Sequence, residues 1–293
     1  MANARKAVVW GTHHPKDGFT DQSTAYLTTP LCKGHNSEPV IGAKQAFSLS
    51  TFLEKEATKA NLLSVLHGKD DNKSPAILFT ACHGMGSAPG HPRQKETQGA
   101  LLCQDWTGPG SINPSHYLTA AEIPDDAEIH GMVMLIVACY GAGVPVFDPF
   151  LYEEIGPVHR KLGPLPIANK PFIAALPQRL LSHPNGGALA VVGHIERLWT
   201  MSFRPFGITS QLIPFRNFFG RVMSGEPVGH AMSDFNKRYA VLAAELLTNL
   251  DDTQPDPKPS DEELAWKWIE RTDAQNFVVL GDPAAHIRVR DLS

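Results

Sequence analysis

Three segments of the chain are apolar almost without interruption and are bounded by turn residues: "PAILFTA" (75–81), "MVMLIVA" (132–138) and "GGALAVVGH" (186–194). Continuous rather than alternating apolar character marks strands covered on both faces. "RKAVVWG" (5–11) adds a fourth strand running into a turn, and "GALLCQDW" (99–106) a fifth, as half of a hairpin. Helical spacing fills the intervals. Residues 56–68 place Ala60, Leu62, Leu63 and Leu66 on one face and stop at Gly68. Further helices are predicted over 172–183, 211–225 and 227–250, and Ser260 with Glu263 forms a capping box that opens a helix through Arg271. "NFVVLGDPAAHIRV" (276–289) closes the chain as strand, tight turn and second strand. Residues 86–98 are a loop. The Gly/Pro-rich stretch from 141 to 171 has little periodicity and reads as a loop or a processing segment, with Arg160 and Lys161 as a candidate self-cleavage point.

Strands alternating with helix-length segments predict an α/β fold with a largely parallel sheet and helices on both faces. With 293 residues and no internal repeat, a single domain over 1–293 is the economical reading.

Composition narrows the function classes. The net charge is −4 and the 26 basic residues are scattered, which argues against a nucleic-acid partner. No apolar run approaches the roughly 20 residues that span a bilayer, so no membrane partner is expected. The four cysteines, Cys32, Cys82, Cys103 and Cys139, include no C-x-x-C pair, so a reducing, cytoplasmic setting is expected. Metal ligands at two- to four-residue spacing are missing as well, and no metal or cofactor is expected.

Two of the buried strands end alike. "FTACHGMG" (79–86) and "IVACYGAG" (136–143) each pass from apolar residues into a reactive side chain and two glycines. Ligands of open α/β sheets bind beyond the carboxyl ends of the strands, where His83 and Cys139 fall. A thiol is only a few per cent thiolate at neutral pH, and a histidine beside it is the natural proton acceptor. Acyl transfer also needs N–H donors for an oxyanion, and Gly-rich turns let backbone amides approach a substrate closely. Gly84 and the Cys139 amide are the candidate donors. Cys82 is one step out of phase with His83 and belongs to the core, as does Cys103. His13, His14 and His91 sit in loops and are expected to be solvated. Asp105 and Asp148 are acids that could reach the crevice. Asp148 suits orienting the histidine, binding a basic P1 side chain, or capping a short helix. Asp282 in "LGDP" is a turn residue.

The boxes "TACHG" and "VACYG" resemble the His-Gly and Ala-Cys boxes of the caspase-like cysteine peptidases, with CHAT-domain and gingipain-like bacterial proteases the nearest in style. Val137 stands where caspases have Gln, and Tyr140 also departs from the caspase box, so caspase specificity for Asp does not carry over. "GALLCQD" (99–105), "LPQRLLSHPNGGALAVVGH" (176–194) and "FVVLGDPA" (277–284) extend the likeness over about 75–289. The resemblance implies a caspase-like fold, a cofactor-free cysteine endopeptidase, and Cys139 as nucleophile with His83 as its base. It also implies a protein or peptide substrate, and a regulatory protein or module on another chain as a partner. Glu196, Arg197 and Trp199 in "GHIERLW" (193–199) would then flank the S1 pocket, unless Arg197 simply pairs with Glu196 or another acid. The other readings are a non-catalytic interaction module of the same fold and a thiol amidase acting on small molecules.

Overall fold

The computed structural model describes residues 4–35, 37–68, 74–108, 110–155, 161–205, 210–251 and 258–293, with backbone alone for 151–155 and 161–163. Arg160, half of the candidate self-cleavage point, lies outside the described residues, and of Lys161 only the backbone is described.

The fold is α/β. The chain opens with β1 (Ala4–Gly11), then α1 (Gly18–Ser23), a π-helical turn and α2 (Thr29–Lys33), and returns along β2 (Ser48–Leu53). Next come α3 (Lys59–His67), β3 (Pro75–Ala81), α4 (Gln94–Thr97), β4 (Leu101–Leu102), β5 (Tyr117–Leu118) and β6 (Val133–Val137). Short strands β7 (Gly143–Val144), β8 (Phe147–Ile155), β9 (Lys161–Pro166) and β10 (Phe172–Ile173) precede α5 (Ala175–Leu181) and β11 (Ala190–His194). The remainder is α6 (Ile213–Met223), α7 (Val228–Ala231), α8 (Ser233–Leu250), α9 (Asp261–Gln275) and β12 (Phe277–Gly281).

Six strands form the main sheet in the order β12-β11-β6-β3-β1-β2, all parallel except β12, which runs antiparallel to β11. Each sheet face has its own apolar layer. Val9, Phe79, Leu135 and Val192 meet Phe215, Phe218 and Phe219 of α6. On the other face Trp10, Leu78, Met134 and Val191 meet Leu62 and Leu66 of α3 and Leu176 and Leu180 of α5. Covering on both faces explains why β3 and β6 are apolar at every position and wholly buried. Among the described residues, no helix is long and apolar enough to cross a membrane.

Several elements depart from expectation for local reasons. Edge strand β2, "SLSTFL", was not predicted, because it keeps partly exposed polar positions instead of an apolar run. The 141–171 stretch, where the sequence suggested a loop, holds β7, β8 and β9; β8 pairs with β9, and β7 with β10, which takes the first residues of the helix expected over 172–183. The expected strand at 99–106 shrinks to two residues paired with β5. The helix over 227–250 is two, α7 and α8, separated at Met232. Only the first strand of 276–289 forms; after it Asp282 Oδ1 accepts the Ala284 N–H at 2.8 Å in a turn. Ser260 and Glu263 make the expected capping box, and Gly68 stops α3 in the left-handed conformation.

Phe79 is fully buried in β3, with its ring 5.3 Å from Phe219. Phe79→Ala is expected to lower stability by about 3–5 kcal/mol in urea unfolding.

Candidate functional site

The sheet register sets the site. Strands β3 and β6 pair in parallel with Ala81 opposite Val137, so His83 and Cys139 lie two residues beyond the same row and point to the same face. Neighbouring strands run about 4.8 Å apart. The chain's strand order reverses beside β1, which has β2 on one side and β3 on the other. That makes the carboxyl ends of β1 and β3 the crevice where open α/β sheets take ligands.

Gly84 is fixed by close approach. A Cβ at this position would stand 1.8 Å from the Cys139 carbonyl oxygen and 3.0 Å from its nitrogen, so only glycine fits. Its N–H faces the Cys139 sulfur. The residue after the cysteine, Tyr140, takes φ of +58°, a strained left-handed conformation for a side chain of this size. The chain thereby turns sharply, and the Tyr140 N–H reaches the Glu196 carbonyl at 2.9 Å.

Cys139 Sγ accepts the Leu198 N–H at 3.4 Å and lies 3.8 Å from the Leu198 carbonyl oxygen. Burial pushes the thiol pKa up, partly offset by the Leu198 N–H, the Arg197 charge and the Gly84 N–H. The sulfur therefore rests as a thiol. Cys82 and Cys103 are fully buried, and burial drives both of their pKa values upward. Cys32 is raised by burial to about 12.

The partner of His83 is a residue the sequence did not single out. His83 Nε2 lies 2.8 Å from Asp17 Oδ2. Asp17 caps α1, accepting from Thr20 N at 3.0 Å and Thr20 Oγ1 at 2.6 Å. Burial opposes its ionisation, but the two Thr20 hydrogen bonds and the neighbouring His83 outweigh it and hold the carboxyl below its ordinary range. The signal was present: Asp17 with Thr20 three residues later, in the loop leaving a strand, is a helix-start pattern.

The loop carrying Asp17 is anchored, which corrects the expectation of solvated histidines. Gln104 clamps the His13 backbone on both sides, at 2.8 Å and 2.7 Å, and His13 Nε2 meets Asp21 at 2.7 Å. His14 is only 2% exposed, edge-on to Trp106 at 4.9 Å; burial, and secondarily His83, depress its proton affinity. His91 is exposed as expected.

Asp148 does not orient the histidine and caps no helix. It lies in β8, 2% exposed, accepting from Phe150 N at 2.9 Å and from Arg197 Nη2 at 2.5 Å. Arg197 therefore pairs with a buried acid; its own N–H goes to Glu196 Oε1 at 2.9 Å. Glu196 is buried too, and burial, with the Asp148 charge adding, raises its pKa to about 7. Trp199 stacks edge-on to Phe150 at 5.4 Å. Asp105 is not in the group: it is exposed and accepts the Lys59 N–H at 2.7 Å at the start of α3. A second residue missed in the sequence, Asp273, is wholly buried and ties down the 194–202 segment through Trp199 N at 2.9 Å and Ser202 Oγ at 2.5 Å. Among the described residues, no group of three or more His, Cys, Asp or Glu side chains is arranged to hold a metal ion.

Compared with known proteins, the sequence matches no family model, and no curated protein matches it either.

Glu196 gives the fold a pH dependence. Between the ordinary carboxylate pKa and about 7, the folded chain keeps a proton here that the unfolded chain has released. The stability contributed by this residue therefore falls as pH rises through that window. Glu196→Gln keeps an acceptor for the Arg197 N–H and removes the titration. Relative to the parent protein it is expected to gain on the order of 1–3 kcal/mol between about pH 5 and about pH 8 in urea unfolding.

Proposed function

We propose that the protein is a cysteine endopeptidase of the caspase-like type, acting through Cys139 and His83 with Asp17 behind the histidine. The observation carrying this reading is the alignment of His83 and Cys139 beyond one row of adjacent parallel strands, with the Gly84 N–H turned to the sulfur. In the proposed reaction Sγ attacks the scissile carbonyl carbon as its proton passes to His83 Nδ1. The Gly84 and Cys139 N–H groups receive the oxyanion. The C–N bond then breaks, and His83 returns the proton to the leaving amine. Water attacks the thioester, gives its proton to His83, and the proton goes back to sulfur as the acid leaves. Asp17 fixes the imidazole tautomer and compensates the imidazolium charge.

The Asp148–Arg197 pair favours a basic P1 residue. An acidic P1 would have to draw Arg197 away from a carboxylate 2% exposed, leaving that buried acid without its cation. A basic P1 instead takes over the place of the Arg197 guanidinium on Asp148, and the displaced side chain, already one-third exposed, moves into water. The substrate is then a protein or peptide cut after Arg or Lys.

Cleavage of a proteome-derived peptide mixture tests the mechanism. Cys139→Ala and His83→Ala are each expected to lower turnover by roughly 10³-fold or more. Asp17→Asn is expected to lower it by about one to several powers of ten, with KM little changed. Wild-type cleavage by the Cys139 or His83 variant, or labelling of Cys139 by a peptide electrophile no faster than Cys32, overturns the assignment in favour of a non-catalytic module.

The same mixture reads the pocket. Arg197→Ala is expected to strengthen selection for Arg and Lys at P1. An unchanged P1 profile, or loss of an acidic preference, removes the pocket assignment without touching the nucleophile.

A further inference from the structure

A second cleft lies between α6 and the 38–45 loop that follows α2, and it shares no residue with the Cys139 site. Its volume is about 310 Å³. That is the lower end of small-molecule pockets, which suits a compact ligand. Its wall carries Arg216, whose guanidinium donates to the Pro30 carbonyl at 2.9 Å and the Pro39 carbonyl at 2.8 Å. Among the described residues no carboxylate lies within ion-pair reach of it; burial disfavours its charge, and Glu38 alone pulls the other way. A half-buried cation holding only neutral carbonyls gains from an incoming anion. Lys44, on the same wall, meets Glu38 at 3.0 Å, but both side chains are more than half exposed. Such a pair contributes little and exchanges readily.

Gly220, in the interior of α6, lines the same cleft. Glycine there destabilises a helix by about 1 kcal/mol relative to Ala. The protein itself does not demand it: a Cβ at 220 would meet only Gln45 Nε2, at an ordinary 3.7 Å. The space this glycine leaves belongs to the cleft. The facing turn is strained as well, with Ala46 at φ of +55° just beyond Lys44 and Gln45.

We propose that this cleft binds a small phosphate monoester with a hydroxylated body. Its dianionic head lies on Arg216 and Lys44. Its hydroxyls donate to the carboxylates of Glu38 and Glu226, which line the same cleft. The two acids on the wall favour a ligand that carries hydroxyl donors beside its negative charge.

Binding is read by calorimetry and thermal unfolding, with no reference to hydrolysis, using ribose 5-phosphate, inorganic phosphate and citrate as probes. Ribose 5-phosphate is expected to bind saturably and to raise Tm more than either other anion. Arg216→Gln is expected to weaken it at least about tenfold, the loss of one charge-assisted contact. Gly220→Leu is expected to abolish it by filling the cleft beside α6, while holding or raising the Tm of the free protein, because Leu is a strong helix former. This variant keeps the test decisive if Arg216→Gln fails to fold. No saturable binding of ribose 5-phosphate, equal binding by the Gly220→Leu variant, or binding of citrate alone overturns the proposal.

Discussion

The parallel pairing of β3 with β6 is the constraint on which the site depends. With Ala81 opposite Val137, the two chains leave the sheet in step, and the first residues past the paired rows that point to the α6 side are His83 and Cys139. A slip of one residue would turn either side chain to the other face and bring Cys82 or Ala138 in its place. The register is held because both strands are buried at every position, so any slip would exchange fitted side chains between two dense layers. The third strand continues the row. Gly193 of β11 stands opposite Ile136, which brings the 194–199 segment across the cysteine, where Leu198 reaches its sulfur.

Three buried or half-buried acids then hold the loops that leave these strands. Asp17 fixes His83 from one side, Asp148 holds Arg197 on the other, and Asp273 ties the segment between His194 and Ser202 from beneath. Each accepts hydrogen bonds from its own donors, which satisfies oxygens held this close to an apolar sheet. Glu196 differs. It accepts one backbone N–H, and burial, with the Asp148 charge adding, raises its pKa to about 7. Backbone strain sits here too, at Tyr140, where a left-handed residue lets the chain turn directly after the cysteine.

What the sequence made legible was whatever rests on local pattern. Continuous apolar runs located β3, β6 and β11, and turn residues located the two ends that face each other across the sheet. The Ser260–Glu263 cap was readable because it is made by residues three apart. Strand β2 was not, since an edge strand with exposed positions carries little periodic signal. Asp17 and Asp273 were missed because their roles join residues 66 and 74 positions away, His83 and Trp199. His14 looked solvated because the packing that buries it comes from Trp106, far along the chain. Arg197 and Asp148 were both singled out, but their pairing across 49 positions is a fact of the fold alone.

The resting state of the thiol links these observations. Burial keeps the proton on sulfur against the opposing pull of the Leu198 and Gly84 N–H groups, so on the proposed mechanism the thiol is neutral before substrate arrives. Attack then creates an imidazolium and an oxyanion together, in a place where neither is well solvated. Each needs a partner already in position, since reorganising buried groups during the reaction would cost as much as the interaction returns. Asp17 is that partner for the imidazolium, held by Thr20 before any charge develops. The Gly84 amide is that partner for the oxyanion, held where no side chain could be tolerated. A raised thiol pKa is consistent with the proposed chemistry for that reason: on that mechanism the site stabilises the separated charges of the reaction rather than a thiolate at rest.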